Sequence, residues 1–124
     1  MTTELQNPAT RLVECCVEAV RHHRAGHRTE AERLYREILS VDPHHVDSLQ
    51  LLGVLATEAG QYGEAVELIG RALRHAPAHP VAHHNLGNAL LGLERTEEAI
   101  AAYRAALQCP PERAATHYNL GNAL

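Results

Sequence analysis

The feature that most constrains this chain is an internal repeat with a period of 34 residues. Residues 85–90, with the sequence NLGNAL, recur letter for letter at 119–124. The same period relates glycines, alanines and prolines along the chain: Gly53, Gly87 and Gly121; Ala31, Ala65 and Ala99; Pro43, Pro77 and Pro111. Repetition at such a period is typical of arrays in which each small unit packs only against its neighbours. We therefore expect a repeat architecture rather than one globular core.

Each period predicts two helices. In the second period Leu49, Leu52 and Leu55 recur at helical spacing, which indicates a helix with one apolar face. Residues 59–61 interrupt this pattern, a second amphipathic run follows, and Pro77 ends the unit because proline cannot continue a helix. The same pattern predicts further helices near residues 10–25, 29–41, 80–93, 96–108 and 114–124.

The starts of several helices carry capping residues. Asn7 followed by Pro8 is typical of a cap with proline in the first turn. Thr29 and Thr96 are the predicted N-caps of second helices, because a threonine hydroxyl can accept a hydrogen bond from the first turn.

Glycines within the first helix of a unit predict tight hairpins. A mid-helix glycine costs about 1 kcal/mol relative to alanine. We therefore expect another backbone to pass close to Gly53 and Gly87, with Ala65 and Ala99 lying across from them on the paired helix. The first unit has Ala19 at this position, which predicts a milder form of the same packing.

These residues resemble the tetratricopeptide repeat (TPR) in their Leu-Gly pair, following Ala, aromatic or Ile position, second Ala and closing Pro. The resemblance implies an all-α fold, an α-solenoid of antiparallel helix hairpins coiled into a right-handed superhelix. Glu18-Ala19 replaces Leu-Gly in the first unit, which is therefore the weakest match. The predicted organisation is an N-terminal extension with the start of the first helix, three TPR units and the first helix of an incomplete fourth: 1–11, 12–45, 46–79, 80–113 and 114–124.

Composition argues against several classes of function. A formal net charge of −4 does not favour a nucleic-acid partner. No apolar run approaches the about 20 residues needed to cross a bilayer, and residues 1–7 do not resemble a signal peptide. Three cysteines do not form a disulfide framework, so we expect a reduced, cytoplasmic setting. All 11 basic residues are arginines and alanine is abundant, as in proteins from GC-rich bacterial genomes.

Catalytic and metal-binding motifs are weak. The sequence has no glycine-rich phosphate loop, nucleophile elbow or paired carboxylates, so we predict no enzyme activity, catalytic residue or cofactor. Among the 10 histidines, His79 with His83 and His23 with His27 have the i, i+4 spacing of zinc ligands. Pro80 lies between His79 and His83, however, and Gly26 lies between His23 and His27. We therefore predict no metal site.

A binding groove is the favoured functional reading. In such arrays the first helices of the units line the concave side, where TPR proteins usually hold an extended peptide. A carboxamide offers donors and an acceptor, so asparagines at each step can pair with a peptide backbone. The predicted peptide-binding residues are Asn85, Asn88, Asn119, Asn122, His84, Tyr118 and Gln50. The alternative is that these asparagines solvate the helices or bridge adjacent repeats.

The other end of the predicted groove is apolar, with Val13, Cys16, Val17 and Val20 on its face. It could receive a hydrophobic anchor, a second copy of the chain, or residues 1–9. Chaperone-binding TPR domains hold a carboxylate with Lys, Arg and Asn side chains. Of the matching positions here only Asn85 could take part, so a heat-shock co-chaperone role is not expected.

Three functions follow from these features. The leading one is a non-enzymatic scaffold that binds a protein or peptide, as the N-terminal part of a larger TPR protein. The NLGNAL phrase is also similar to the repeats of O-linked N-acetylglucosamine transferases, so a substrate-recruiting arm of a glycosyltransferase is an alternative. Because the sequence stops within a hairpin at Leu124, a longer array or homo-oligomerisation through the exposed C-terminal helix is also expected.

Overall fold

The structure, a computed structural model, describes residues 8–109, which form helices and no strand. Residues 8–109 form six helices in chain order: α1 (Pro8–Arg24), α2 (Arg28–Val41), α3 (Val46–Glu58), α4 (Tyr62–His75), α5 (Pro80–Gly92) and α6 (Thr96–Leu107). The predicted all-α fold and these helices are confirmed. The predicted helix at 114–124 lies outside the described residues. None of the six helices is both long and apolar enough to span a bilayer.

The helices form three hairpins, each closed by the same turn. One residue in every turn has a left-handed backbone, and these residues are one period apart: Gly26 (φ 85°), Gly60 (φ 79°) and Glu94 (φ 61°). The N–H of the next residue donates to the carbonyl oxygen five residues back: His27 to His22 at 2.8 Å, Gln61 to Ala56 at 2.8 Å and Arg95 to Leu90 at 2.9 Å. This pattern is a Schellman turn, which satisfies carbonyl groups at the end of the first helix.

The same turn determines where the second helix starts. His27 is the N-cap of α2 and Arg95 the N-cap of α6, and neither makes a side-chain capping bond. The predicted caps were therefore wrong, because Thr29 lies in the first turn of α2 and Thr96 is the first residue of α6. A helix that follows directly on a Schellman turn has no room for a separate cap.

The mid-helix glycines sit where the hairpins are tightest. A Cβ added at Gly53 would lie 2.5 Å from Cγ1 of Ile69 and 3.4 Å from the carbonyl oxygen of Ala65. At Gly87 the added Cβ would lie 2.6 Å from Cε1 of Tyr103. The predicted close approach of another backbone is confirmed at Gly53, where the carbonyl oxygen of Ala65 lies opposite, although the nearest atoms belong to the Ile69 side chain. At Gly87 the nearest atoms belong to the Tyr103 side chain and not to Ala99.

The largest apolar core lies within the first two hairpins. Its buried side chains come from α1, α2, α3 and α4: Ala19, Val20, Ala31, Leu34, Tyr35, Leu49, Leu51, Leu52, Leu55, Leu68 and Ala72. Smaller clusters connect α3 and α4 to α5, and α5 to α6. These smaller clusters contain mostly alanines.

Contacts between helices indicate the direction in which the array curves. The first helices of the second and third hairpins, α3 and α5, pack directly on each other. Within residues 8–109 no comparable packing joins the second helices α2 and α4, or α4 and α6. Since α3 and α5 lie closer together than the helices behind them, these two first helices line the inner side of the curve.

Candidate functional site

Asn85 lies on the inner side at the junction of the second and third hairpins. Its side chain is half-buried, and its Nδ2 donates a hydrogen bond of 2.6 Å to Oε1 of Gln50 on α3. Gln50 is 1% exposed. The predicted direct contact between Gln50 and a peptide is not supported by this position, because the side chain is enclosed between α3 and α5. Gln50 instead orients the amide of Asn85.

Asn88 and His84 lie one turn apart on α5, and both are exposed. The hydroxyl of Tyr103 on α6 donates a 2.5 Å hydrogen bond to Oδ1 of Asn88. The ring of His84 lies 5.3 Å from the Tyr103 ring, centroid to centroid. Tyr103 therefore contacts Gly87, Asn88 and His84, and fixes the orientation of the Asn88 amide.

The remaining predicted contact residues, Tyr118, Asn119 and Asn122, lie outside the described residues. The structure therefore brings together Asn85, Asn88 and His84 on one helix, with Gln50 and Tyr103 behind them. Sequence reasoning missed the role of Tyr103. Its position one period after Ile69 marked it only as a packing residue.

Fewer side chains are exposed at the predicted apolar end of the surface than the sequence indicated. Val13 and Val17 are 63% and 48% exposed, whereas Cys16 and Val20 are buried. Burial raises the pKa of Cys16 to about 11, with a smaller contribution from the negative charge of Asp47. Cys16 is therefore a neutral packing residue rather than a reactive thiol.

Two histidines cap the first helices, a role that sequence reasoning also missed. Nδ1 of His45 accepts a hydrogen bond from the Ser48 N–H at 3.2 Å, at the start of α3. Nδ1 of His79 accepts one from the Ala82 N–H at 3.1 Å, at the start of α5. The available signal was their spacing of one period, and Pro80 directly after His79.

The histidines spaced like zinc ligands make separate contacts with other groups. Nε2 of His83 lies 2.7 Å from the carbonyl oxygen of Pro77, while His79 caps α5. Nε2 of His23 lies 3.1 Å from a carboxylate oxygen of Glu58, which links α1 to α3. Across residues 8–109 no three His, Cys, Asp or Glu side chains converge as metal ligands would.

The second helices carry the charged outer surface. Arg36 on α2 forms ion pairs with Glu32 at 3.0 Å on its own helix and with Glu64 at 3.0 Å on α4. Arg33 pairs with Glu30, and its hydrogen bond holds the pKa of that carboxyl below its usual range. Outer and inner surfaces therefore differ, with ion pairs on the first and amides, valines and histidines on the second.

The fold and this surface define the class, an α-helical repeat protein built from stacked hairpins. The tetratricopeptide repeat family matches the chain over residues 17–80, 51–114 and 84–124. These ranges together include most of the chain. The protein belongs to the tetratricopeptide repeat family.

Solved structures of several proteins are similar to this chain. A mutant of the O-GlcNAc transferase of Thermobaculum terrenum is 31% identical, with a TM-score of 0.82 over 95% of this chain and 23% of that chain. The first TPR of Spaghetti (RPAP3), bound to an HSP90 peptide, is 17% identical, with a TM-score of 0.77 over 90% of this chain and 91% of that one. MamA from Desulfovibrio magneticus RS-1 is 19% identical, with a TM-score of 0.72 over 94% and 72%.

These similarities differ in what they establish. The last two structures show the shared fold alone. This chain spans only 23% of the length of the transferase, so the activity of that larger protein is not a property shown for this chain.

Proposed function

We propose that this chain is a non-enzymatic interaction scaffold that binds an extended segment of a partner protein along α1, α3 and α5. The observation that carries this proposal is the pair of oriented amides, Asn85 and Asn88, on the inner side of the curved array. Each amide is fixed by a side chain behind it, Gln50 at 2.6 Å and Tyr103 at 2.5 Å.

The two amides offer opposite groups to a ligand. Asn88 uses its oxygen as acceptor for Tyr103, so its NH₂ group remains to donate. Asn85 uses one N–H for Gln50, so its oxygen remains to accept. An extended backbone presents N–H and C=O groups on the same side, which matches a donor and an acceptor one helical turn apart. Asn119 and Asn122 would repeat this pair one period later.

The apolar end of the surface supports a partner that is not purely polar. Val13 and Val17 are exposed on the inner helix α1, one turn apart. An aliphatic side chain of the bound segment would cover both of them, while its backbone follows the amides on α5. The proposed partner segment is therefore extended, with an apolar residue toward the N-terminal hairpin.

Selection from a displayed library of random 12-residue peptides, followed by titration of the best peptide by calorimetry, tests the proposal. Replacing Asn85 by Ala removes about one hydrogen bond, worth 0.5–1.5 kcal/mol, so we expect affinity to fall roughly 2- to 12-fold. Asn85→Ala with Asn119→Ala should lose more. Gln61→Ala is the matched control, because its exposed carboxamide makes no capping bond. Equal affinity in the double variant would place the binding surface elsewhere.

A second function is favoured by one comparison. The 31% identity to an O-GlcNAc transferase over 95% of this chain supports a role as the substrate-recruiting arm of a glycosyltransferase. Reading the native gene past the codon for Leu124 tests this role. A glycosyltransferase domain in the same frame would support it, and a stop codon would exclude it.

A further inference from the structure

The two histidine caps occupy equivalent places in successive hairpins. His45 and His79 are one period apart and each precedes an inner helix, α3 or α5. In both caps the ring nitrogen Nδ1 is the acceptor, at 3.2 Å from the Ser48 nitrogen and 3.1 Å from the Ala82 nitrogen. Ser, Thr, Asp and Asn are the usual side chains at this position, so a repeated histidine is a distinctive choice.

A histidine cap depends on the protonation state of the ring. Nδ1 can accept a hydrogen bond only while it carries no proton. A proton added there turns the acceptor into a donor that faces another N–H, at the positive end of the helix dipole. Imidazole is also the side chain that ordinarily changes charge between pH 5 and 8. Protonation of Nδ1 therefore removes such a cap.

The surroundings of His79 offer its charged ring a different partner. The residue is 1% exposed, and its Nε2 lies 3.8 Å from Oδ1 of Asp47 on α3. A charged ring gains attraction to this carboxylate and loses its bond to Ala82. Asp47 and His83 lie near His79, and Asp42, His44, Arg71 and His75 lie around the loop that carries His45.

From this geometry we infer that His45 and His79 act together as proton-sensitive caps that loosen the inner helices when their Nδ1 atoms take up a proton. The neutral rings hold the starts of α3 and α5. The charged rings release them, and the His79 ring is drawn toward Asp47. The inner surface is consequently better ordered at neutral than at mildly acidic pH, whatever partner it binds.

Thermal unfolding of the full chain at pH 7.5 and 5.5 tests this inference. The double variant His45→Asn/His79→Asn keeps a capping oxygen that takes up no proton. For the wild type we expect the midpoint to fall at pH 5.5 by roughly 4–8 °C per cap. For the double variant we expect less than half of that fall. An equal fall in both proteins would overturn the inference.

A matched variant separates the caps from general charge accumulation. His44→Asn/His75→Asn also removes two histidines, whose rings stack with centroids 4.2 Å apart on the surface. We expect this variant to retain most of the wild-type fall. If it removes as much of the fall as the cap variant, charge accumulation explains the pH response and the inference fails.

A measurement on the wild type avoids any variant that does not fold. The amide resonances of Ser48 and Ala82 should shift between pH 7.5 and 5.5, each in step with the imidazole signals of its own cap. Amides that do not follow their caps would show that the rings keep their bonds when charged, contrary to the inference.

Discussion

The first two hairpins share a core of leucines and a tyrosine, whereas the third joins them through alanines and one pair of amides. At the second junction the buried apolar cluster consists of Ala56, Ala65 and Ala89, with Val66 partly buried against it. A buried leucine contributes more than a buried alanine in proportion to the apolar area removed from water. Because each repeat contacts only its neighbours, the stability of an array is a sum over its junctions. The two junctions therefore differ in composition although the period is the same.

The junction lined by alanines is also the one that carries the candidate binding residues. Asn85 bonds across it to Gln50, and Tyr62 packs its ring where a side chain on Gly92 would otherwise lie. The first two hairpins therefore contain the leucine core, and the third hairpin presents the candidate contact residues.

Truncating a leucine should give the largest difference in stability between the first two hairpins and the third. Leu49 is fully buried in the first core, so Leu49→Ala should lower the free energy of unfolding by about 2–5 kcal/mol and loosen all six helices. Leu90→Ala should reduce hydrogen-exchange protection in α5 and α6 alone. Urea titration and native-state hydrogen exchange measure both. Equal loss of protection in all helices of the Leu90 variant would mean that the junctions are not independent.

Removing one member of the hydrogen-bonded pair Gln50 and Asn85 should give the next largest loss of stability. Gln50→Leu leaves the half-buried Asn85 amide without this partner, which costs about 1–3 kcal/mol. Gln50→Leu/Asn85→Leu replaces both members with apolar groups and should be close to wild type. A double-mutant cycle in urea measures the coupling. If the two single losses simply add, the bond does not stabilise the second junction.

Gly92→Ala should weaken the same junction from its other side. The added methyl meets the Tyr62 ring, an overpacking cost of about 1–3 kcal/mol, partly offset by the gain in helix propensity. The matched control is Gly70→Ala in α4, where an added Cβ has no atom within 4 Å, so the variant should gain about 0.5–1 kcal/mol. Comparable stability gains in both variants would contradict the packing role of Gly92.

Substitutions of the left-handed residue in the turns should have smaller effects, whose sign depends on whether glycine is gained or lost. Glu94 has φ of 61° where the other turns have glycine, so Glu94→Gly should stabilise the third hairpin by about 1 kcal/mol. Gly60→Ala should destabilise the second hairpin by a similar amount. Thermal unfolding compares the two variants. No gain in the Glu94 variant would mean that its backbone is not strained.

Ionisation of the Cys16 thiol should have the smallest effect on stability, and only at alkaline pH. Its pKa is raised from 9.0 to about 11, so between these values the folded chain keeps a proton that the unfolded chain releases. Stability should therefore fall as pH rises through this window, and Cys16→Ala should flatten the fall. At pH 8 iodoacetamide should modify the half-buried Cys15 well before Cys16. Equal labelling rates would contradict the burial of Cys16.

The period in the sequence was sufficient to predict the helices, but not their ends or their junctions. Apolar spacing depends on one helix at a time, so α3 and α4 follow directly from residues 49–73. Thr29 and Thr96 failed as caps because a left-handed residue in the preceding turn sets the start of the next helix. No property of Thr29 itself reveals this.

The candidate site was predicted in part for a related reason. A helical wheel places Gln50 on the face of α3 that corresponds to the Asn85 face of α5. In the structure, however, Gln50 is enclosed and Asn85 is half-buried. This difference arises from the way successive hairpins curve toward each other, which the pattern of a single helix does not contain. The pattern of α5 alone also does not predict the hydrogen bond that Tyr103 on α6 donates to Asn88.

The Schellman turns also bear on how such a chain can be cut and rejoined. His27, Gln61 and Arg95 each complete the end of one helix and begin the next, so a break there removes support from two helices at once. A break in the loops near Pro43 or Pro77 leaves every hairpin whole. Recombination between related genes would therefore preserve folding when crossovers fall at these prolines, and the hairpin, rather than the single helix, is the portable unit of this architecture.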